Sequence, residues 1–213
     1  MSQGVLTDLT DGILTIQFNR PDAMNALHLE AFLALEAALA NLDPEVRAII
    51  VKGNERAFCS GADVSLMSPG QGSLGMEKIT QLMQTYRNVE VPVIAAVSGP
   101  AAGIGCSLAL MADYVLMSEK SYLMLAFTRI GLMPDGGATA LVAASAGRHR
   151  ALRMALTAEK LPATSAFEWG LASEVVAPDL LDTRAGEVAA TFAKSATVAL
   201  GRTKRAINDA TLT

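Results

Sequence analysis

The chain has 213 residues, enough for one sizeable domain around one substantial core. Apolar residues make up 51% of it and aromatic residues only 5%, so the interior is expected to be Ala, Val, Leu, Ile and Met, in helices layered on sheet. The formal net charge of −4, with no run of Lys and Arg able to follow a phosphate backbone, argues against nucleic acid as a partner.

The chain opens MSQGVLTDLTDG, without a basic start or an apolar h-region, and no apolar stretch reaches the roughly 18 residues that span a bilayer. A soluble, cytoplasmic protein with no membrane partner is expected. Val5–Thr10 and Ile13–Phe18 are β-rich and separated by Asp11-Gly12, which predicts a hairpin. Apolar residues at helical spacing (Leu27, Phe32, Leu35, Ala38, Leu42) predict an amphipathic helix over 27–42, with Asn25 as its N-cap. His28 begins that helix and His149 lies in Gly147-Arg148-His149-Arg150, so both are read as surface residues.

Residues 47–51 (RAIIV) read as a buried strand ending at Gly53-Asn54. Residues 68–75 (SPGQGSLG) read as a mobile loop able to gate a site, feeding a helix at Met76–Arg87. A second apolar strand is expected at 92–97, then a turn over 98–105 (SGPAAGIG) and a helix over 106–111. Short strands at 113–117 and 122–125 precede a glycine-rich turn, MPDGG, at 133–137. Helices then run to the C-terminus with turns at Gly147, Pro162, Gly170 and Pro178. No internal repeat or low-complexity tract is present. Cys59 and Cys106 are expected to be reduced thiols, and no metal site is expected because no His, Cys or carboxylate cluster has ligand spacing.

Two segments share one design. In FCSGADV (58–64) and in AGIGCS (102–107) a strand is expected to end in glycine, leaving N–H groups able to bind a developing oxyanion without side-chain chemistry. For either turn alone, glycine serving a position of positive φ is the better account. The order of the whole set goes further: Asn19-Arg20-Pro21 with Asn25-Ala26-Leu27, then Ala57-Phe58-Cys59-Ser60-Gly61-Ala62-Asp63, then Val97-Ser98-Gly99 with Gly103-Ile104-Gly105-Cys106, then Gly131-Leu132-Met133-Pro134. Together with Glu168-Trp169-Gly170-Leu171 and Glu174-Val175-Val176, this resembles the enoyl-CoA hydratase/isomerase (crotonase) family from about Val5 to Ala210.

The resemblance implies an α/β fold, a spiral of ββα units with C-terminal helices, as a single domain over 1–213. It implies an acyl-CoA thioester as ligand, no separate cofactor because coenzyme A is part of the substrate, and a homotrimer or hexamer. It places the oxyanion-binding N–H groups at Ala62 and Ile104. Many relatives have Gly where this chain has Ile104, and Gly103 and Gly105 on either side are expected to absorb the unusual dihedrals. Met24, Ala26, Arg56, Ser60, Gly61, Asp63 and Gly105 fall in segments that relatives lay along the substrate, and Asp63 is expected to cap the next helix or orient the turn. Lys204 and Arg205 are candidates for phosphate or for a solvated helix face.

Hydratases of the family use two glutamates, whose positions here are Ser107 and Phe127; neither can act as a carboxylate acid or base. One acid remains nearby, Asp135. Some family isomerases carry a single Asp or Glu in this turn, which implies a shift of a double bond from the 3- to the 2-position with Asp135 as base. The alternatives are a hydratase or lyase using another residue, a silent CoA-thioester binder, and, for Asp135 itself, a turn residue or helix cap. Relatives also continue for several tens of residues past the match to 202–210, so this sequence is expected to be either naturally short or a fragment.

Overall fold

A computed structural model describes residues 4–63, 65 and 75–212, so the loop expected at 68–75 lies, but for Gly75, outside the described residues. The hairpin forms as expected: β1 (Val5–Thr10) pairs antiparallel with β2 (Ile13–Phe18), and Asp11 and Gly12 both take positive φ, 52° and 74°, at the two-residue turn. The helix after it, α1 (Leu29–Ala40), is shorter than expected and its cap is His28, whose Nδ1 accepts the Ala31 N–H at 3.2 Å. Asn25 lies three residues before that position and is buried instead.

β3 (Ala48–Lys52), β4 (Val93–Val97) and β6 (Tyr114–Ser118) continue the sheet in parallel from β2, and β9 (Glu174–Val176) closes it, giving the order β1-β2-β3-β4-β6-β9. β3 and β4 read as unbroken apolar runs because both faces are covered. Ile49, Val51, Val93, Ala95 and Val97 point into the larger core, which α1, α2 (Met76–Arg87) and α3 (Ile104–Met111) cover. Ala48, Ile50, Ile94, Ala96 and Leu116 point the other way, against Leu181, Ala185, Val188 and Ala189 of α7 (Leu181–Ala193).

The stretch 98–105 is not simply a turn. Pro100–Ala102 forms β5, which pairs parallel with β7 (Tyr122–Met124), and β7 pairs antiparallel with the two-residue β8 (Leu161–Pro162) in a second sheet. Proline is tolerated at Pro100 because it opens the strand, where its missing N–H breaks no ladder. Strand pairs followed by helices recur: β1-β2-α1, β4-β5-α3, then β6-β7 and a 3₁₀ turn (Ala126–Ile130) before α4 (Ala138–Ala146). This is the expected spiral of ββα units.

The later helices are α5 (Arg148–Thr157), α6 (Ala163–Glu168), α7 and α8 (Thr197–Thr211). Lys204 of α8 does not face a phosphate or open solvent: its Nζ donates to Asp113 Oδ2 at 2.6 Å and to the Val91 carbonyl at 3.0 Å. Arg205 pairs with Glu90 at 2.8 Å. Among the described residues no helix is long and apolar enough to cross a membrane, and no three His, Cys, Asp or Glu side chains cluster as metal ligands would.

Candidate active site

The two glycine-rich segments meet at one end of the sheets. Residues 58–63 form no regular strand; single parallel bridges hold them, Cys59 against Ala101 and Ala62 against Leu27. The Cys59 N–H donates to Pro100 O at 3.1 Å, and the Ala102 N–H returns to Cys59 O at 2.9 Å. On the other side, Leu27 N–H donates to Gly61 O at 2.8 Å and Asp63 N–H to Leu27 O at 2.9 Å. A parallel bridge uses the neighbours of Ala62 and turns the N–H of Ala62 itself away from Leu27. Among the described residues no backbone carbonyl accepts from it.

The second N–H has the same freedom for a different reason. Ile104 is the first residue of α3, where an N–H has no acceptor within its own helix. Gly103 precedes it at φ 53° and ψ −130°, a region open to glycine alone, so the strain falls on Gly103 and Ile104 is already helical. Gly105 does not share that strain, because its φ is not positive. It supplies space: a Cβ there would strike the Cys59 carbonyl oxygen and lie 2.8 Å from Cys59 Cβ. Gly61, at φ 110°, is less tightly placed: its Cβ would sit 3.1 Å from Ala102 O and 3.8 Å from Gly103 Cα. The two turns therefore lie side by side, and among the described residues neither the Ala62 nor the Ile104 N–H donates to a backbone carbonyl.

Side chains from the 20–26 segment brace the first turn. Asn25, at φ 57°, accepts the Arg20 N–H on Oδ1 at 2.9 Å and donates from Nδ2 to Ala57 O at 2.8 Å and Phe58 O at 3.2 Å. Arg20 Nη1 reaches Asp63 Oδ2 at 3.0 Å and Ala26 O at 2.6 Å. Asp63 thus orients the turn; Ser65 Oγ donates to its other oxygen at 2.6 Å. The Ser65 hydrogen bond first, and Arg20 after it, hold the Asp63 carboxyl below its ordinary range. Ser60 N–H donates to Met24 O at 3.0 Å, joining the two segments again. Met24 and Ala26 are half-buried along this seam, whereas Arg56 is exposed and, among the described residues, its guanidinium makes no ion pair. Sequence reasoning gives Arg20 no role and makes Asn25 a helix cap; Arg20 meets its carboxylate 43 residues away, and no local signal shows that.

The Asp135 turn packs against α3. Its carbonyl accepts Ser107 Oγ at 3.0 Å and the Ala138 N–H at 3.1 Å. Gly136 and Gly137 follow at φ 60° and 77°, and a Cβ on Gly136 would strike Ile104 Cδ1 and lie 2.9 Å from Ser107 Cβ. The side chain does not cap α4, which has no side-chain cap hydrogen bond. Instead Oδ1 is buried without a hydrogen-bond partner among the described residues, and burial alone raises the carboxyl to about 6. Beside the two glycines opens a pocket of ≈ 180 Å³, walled by Ile79, Met83 and Met111. Ser107 and Phe127 are both buried in the core, and Cys59 and Cys106 are free, buried thiols that desolvation pushes up to about 12.

Comparison with known proteins agrees with this architecture. The enoyl-CoA hydratase/isomerase family model matches residues 8–212. A probable enoyl-CoA hydratase from Rhodobacter capsulatus is 42% identical over 181 residues, covering 81% of this chain and 68% of the relative. The 1,2-epoxyphenylacetyl-CoA isomerase of Escherichia coli is 33% identical over 99% of this chain and 84% of its own. A crystal structure of an enoyl-CoA hydratase from Mycobacterium avium subsp. paratuberculosis superposes with a TM-score of 0.90 at 43% identity, covering 98% of this chain and 82% of that one. The chain belongs to the enoyl-CoA hydratase/isomerase, or crotonase, family of enzymes.

Proposed function

We propose that the protein moves the double bond of an enoyl-CoA thioester from the 3- to the 2-position, with Asp135 as the sole proton carrier. The Asp135 carboxylate removes a proton from C2, and the electron pair of that C–H bond delocalises through the thioester carbonyl and the C3–C4 double bond. The N–H groups of Ala62 and Ile104 donate to the enolate oxygen while the charge resides there. Protonated Asp135 then returns the proton to C4, leaving the double bond between C2 and C3. One carboxyl serves both steps, so no second acid is needed at Ser107 or Phe127. Met24, Ala26, Ser60, Gly61 and Asp63 line the path of the CoA arm in this reading, Arg56 stands at its phosphate end, and the acyl end enters the pocket beside Gly136 and Gly137.

The observation that carries this reading is the buried oxygen of Asp135, which has no hydrogen-bond partner among the described residues. A carboxyl used as a cap would be hydrogen-bonded, and one used in an ion pair would titrate low; this one does neither, and a value of about 6 suits a group that must both take and return a proton near neutral pH. The Escherichia coli relative is named for an isomerisation of an epoxide, which supports an isomerase in general and not the double-bond shift in particular.

The test follows conjugation of a 3-enoyl-CoA by ultraviolet absorbance. Asp135→Asn is expected to lower turnover by about 100- to 10,000-fold while acyl-CoA binding, measured by calorimetry, stays near the wild-type value. Equal rates in the two proteins remove Asp135 from the mechanism. Wild-type hydration of a 2-enoyl-CoA faster than isomerisation of the 3-enoyl-CoA moves the assignment to a hydratase.

A further inference from the structure

In the reading above α3 contributes only its first residue, yet it touches the Asp135 turn again one helical turn later. Ser107 stands at i+3 from Ile104, on the same face of the helix, and is fully buried. Burying a hydroxyl is unfavourable unless it is hydrogen-bonded, and this one donates to the Asp135 carbonyl at 3.0 Å. The turn presses directly on the same patch, because a Cβ on Gly136 would lie 3.0 Å from Ser107 Oγ and would strike Ile104 Cδ1.

We propose that Ser107 is a positioning residue for Asp135, so that α3 fixes the distance between the Ile104 N–H at its start and the carboxyl held one turn further along. This role presupposes that Asp135 is the base. The need for it is local. Asp135 is followed by two glycines at positive φ, the residue type with the freest backbone, and without Ser107 the Asp135 carbonyl keeps, among the described residues, only the Ala138 N–H. A carboxyl on so loose a segment can turn toward water, losing both its aim and its burial. Charge around it is sparse: α3 carries no titratable side chain but Cys106, α4 carries none, and Arg87, which lines the same pocket, is paired with Asp209 at 3.0 Å.

Two measurements on Ser107→Ala test this. In the isomerisation assay kcat is expected to fall by about 10- to 100-fold with KM within about twofold, the usual consequence of a displaced catalytic group. In the Asp135→Asn background the same change is expected to cost nothing further, because it acts through that carboxyl. Equal losses in both backgrounds make Ser107 a packing residue and overturn the role. The second measurement needs no turnover: a ¹³C carboxyl titration of Asp135 by NMR is expected to move from about 6 in the wild type toward the ordinary carboxylate range in Ser107→Ala. An unmoved titration overturns the positioning role by itself. If Asp135→Asn alone keeps full activity, the general-base reading fails, and the titration still decides whether Ser107 holds the Asp135 side chain.

Discussion

The two turns present the same group, a backbone N–H that donates to no backbone carbonyl among the described residues, and are built on opposite principles. The turn at 59–63 is braced by side chains: Asn25 bonds the carbonyls of Ala57 and Phe58, and Arg20 holds Asp63. The turn at 103–105 is braced by backbone and by the absence of side chains: Gly103 N–H donates to Met124 O at 2.9 Å, Gly103 takes the strained φ, and Gly105 lies against Cys59 with no room for a Cβ. Where a helix start must come close to another strand, the backbone has to be bare. Where the chain follows an irregular path between single bridges, polar side chains have to replace the missing ladder. The two designs predict different sensitivities.

The largest effect is expected at the bare turn. In Gly105→Ala the new methyl meets the backbone oxygen of Cys59, and its clash with Cys59 Cβ at 2.8 Å is also with an atom fixed to the main chain. No rotamer change relieves it, so the turns must separate. We expect a loss of about 3 kcal/mol or more, at the upper end for an overpacked core, read as a lower denaturant midpoint at constant slope. If Gly105→Ala unfolds at the wild-type midpoint, the second turn is not held by close packing.

How far these features can be read from sequence follows the same division. The hairpin is legible because Asp11-Gly12 sits between two β-rich runs, and β3 and β4 because a strand covered on both faces is apolar without interruption. β5 is not, since three residues with a proline among glycines look like a turn until Tyr122–Met124 arrives to pair with them. The turn at 103–105 is legible as a place where an N–H is left over, because a helix start depends on local backbone; the Ala62 N–H is set by the bridge to Leu27, tens of residues earlier. The braces are not legible: Arg20 finds Asp63, and Asn25 finds Ala57 and Phe58, across tens of residues, and the helix cap passes to His28 once Asn25 is committed elsewhere. Ser107 is visible in the sequence only as an acid that is missing. Its hydrogen bond to Asp135, 28 residues on, exists only once α3 and the glycine turn are packed.

An intermediate effect, of opposite sign, is expected where the second turn meets Asp135. Burial lifts this carboxyl to about 6, above the value of about 4 for an unfolded chain. The folded state therefore binds more protons than the unfolded state between these values, and stability falls as pH rises through that window. Above it the full penalty of a buried charge is present. Asp135→Asn removes the charge, so it is expected to stabilise the protein by about 1–2 kcal/mol at pH 7 while abolishing most turnover. The gain should vanish below pH about 4, where the wild-type carboxyl is protonated in both states. A neutral or destabilising change at pH 7 shows that the carboxyl is solvated and not poised.

The smallest effect is expected at the side-chain brace of the first turn. The Arg20 and Asp63 side chains keep 22% and 15% of their exposure, so water still screens the pair, and Asp63→Asn is expected to cost about 0.5–1 kcal/mol at neutral pH. Its pH dependence runs opposite to that of Asp135. The Ser65 and Arg20 contacts hold the Asp63 carboxyl below its unfolded value, so their contribution is complete above pH about 4 and is lost as pH falls through the depressed folded value. Wild type and Asp63→Asn should thus converge in acid, whereas wild type and Asp135→Asn differ most above pH 6. Urea midpoints for the three proteins across pH 3 to 8 separate the two carboxyls. If the Asp63→Asn difference instead persists unchanged into acid, the ion pair contributes nothing, and the hydrogen bonds from Asn25 brace the first turn alone.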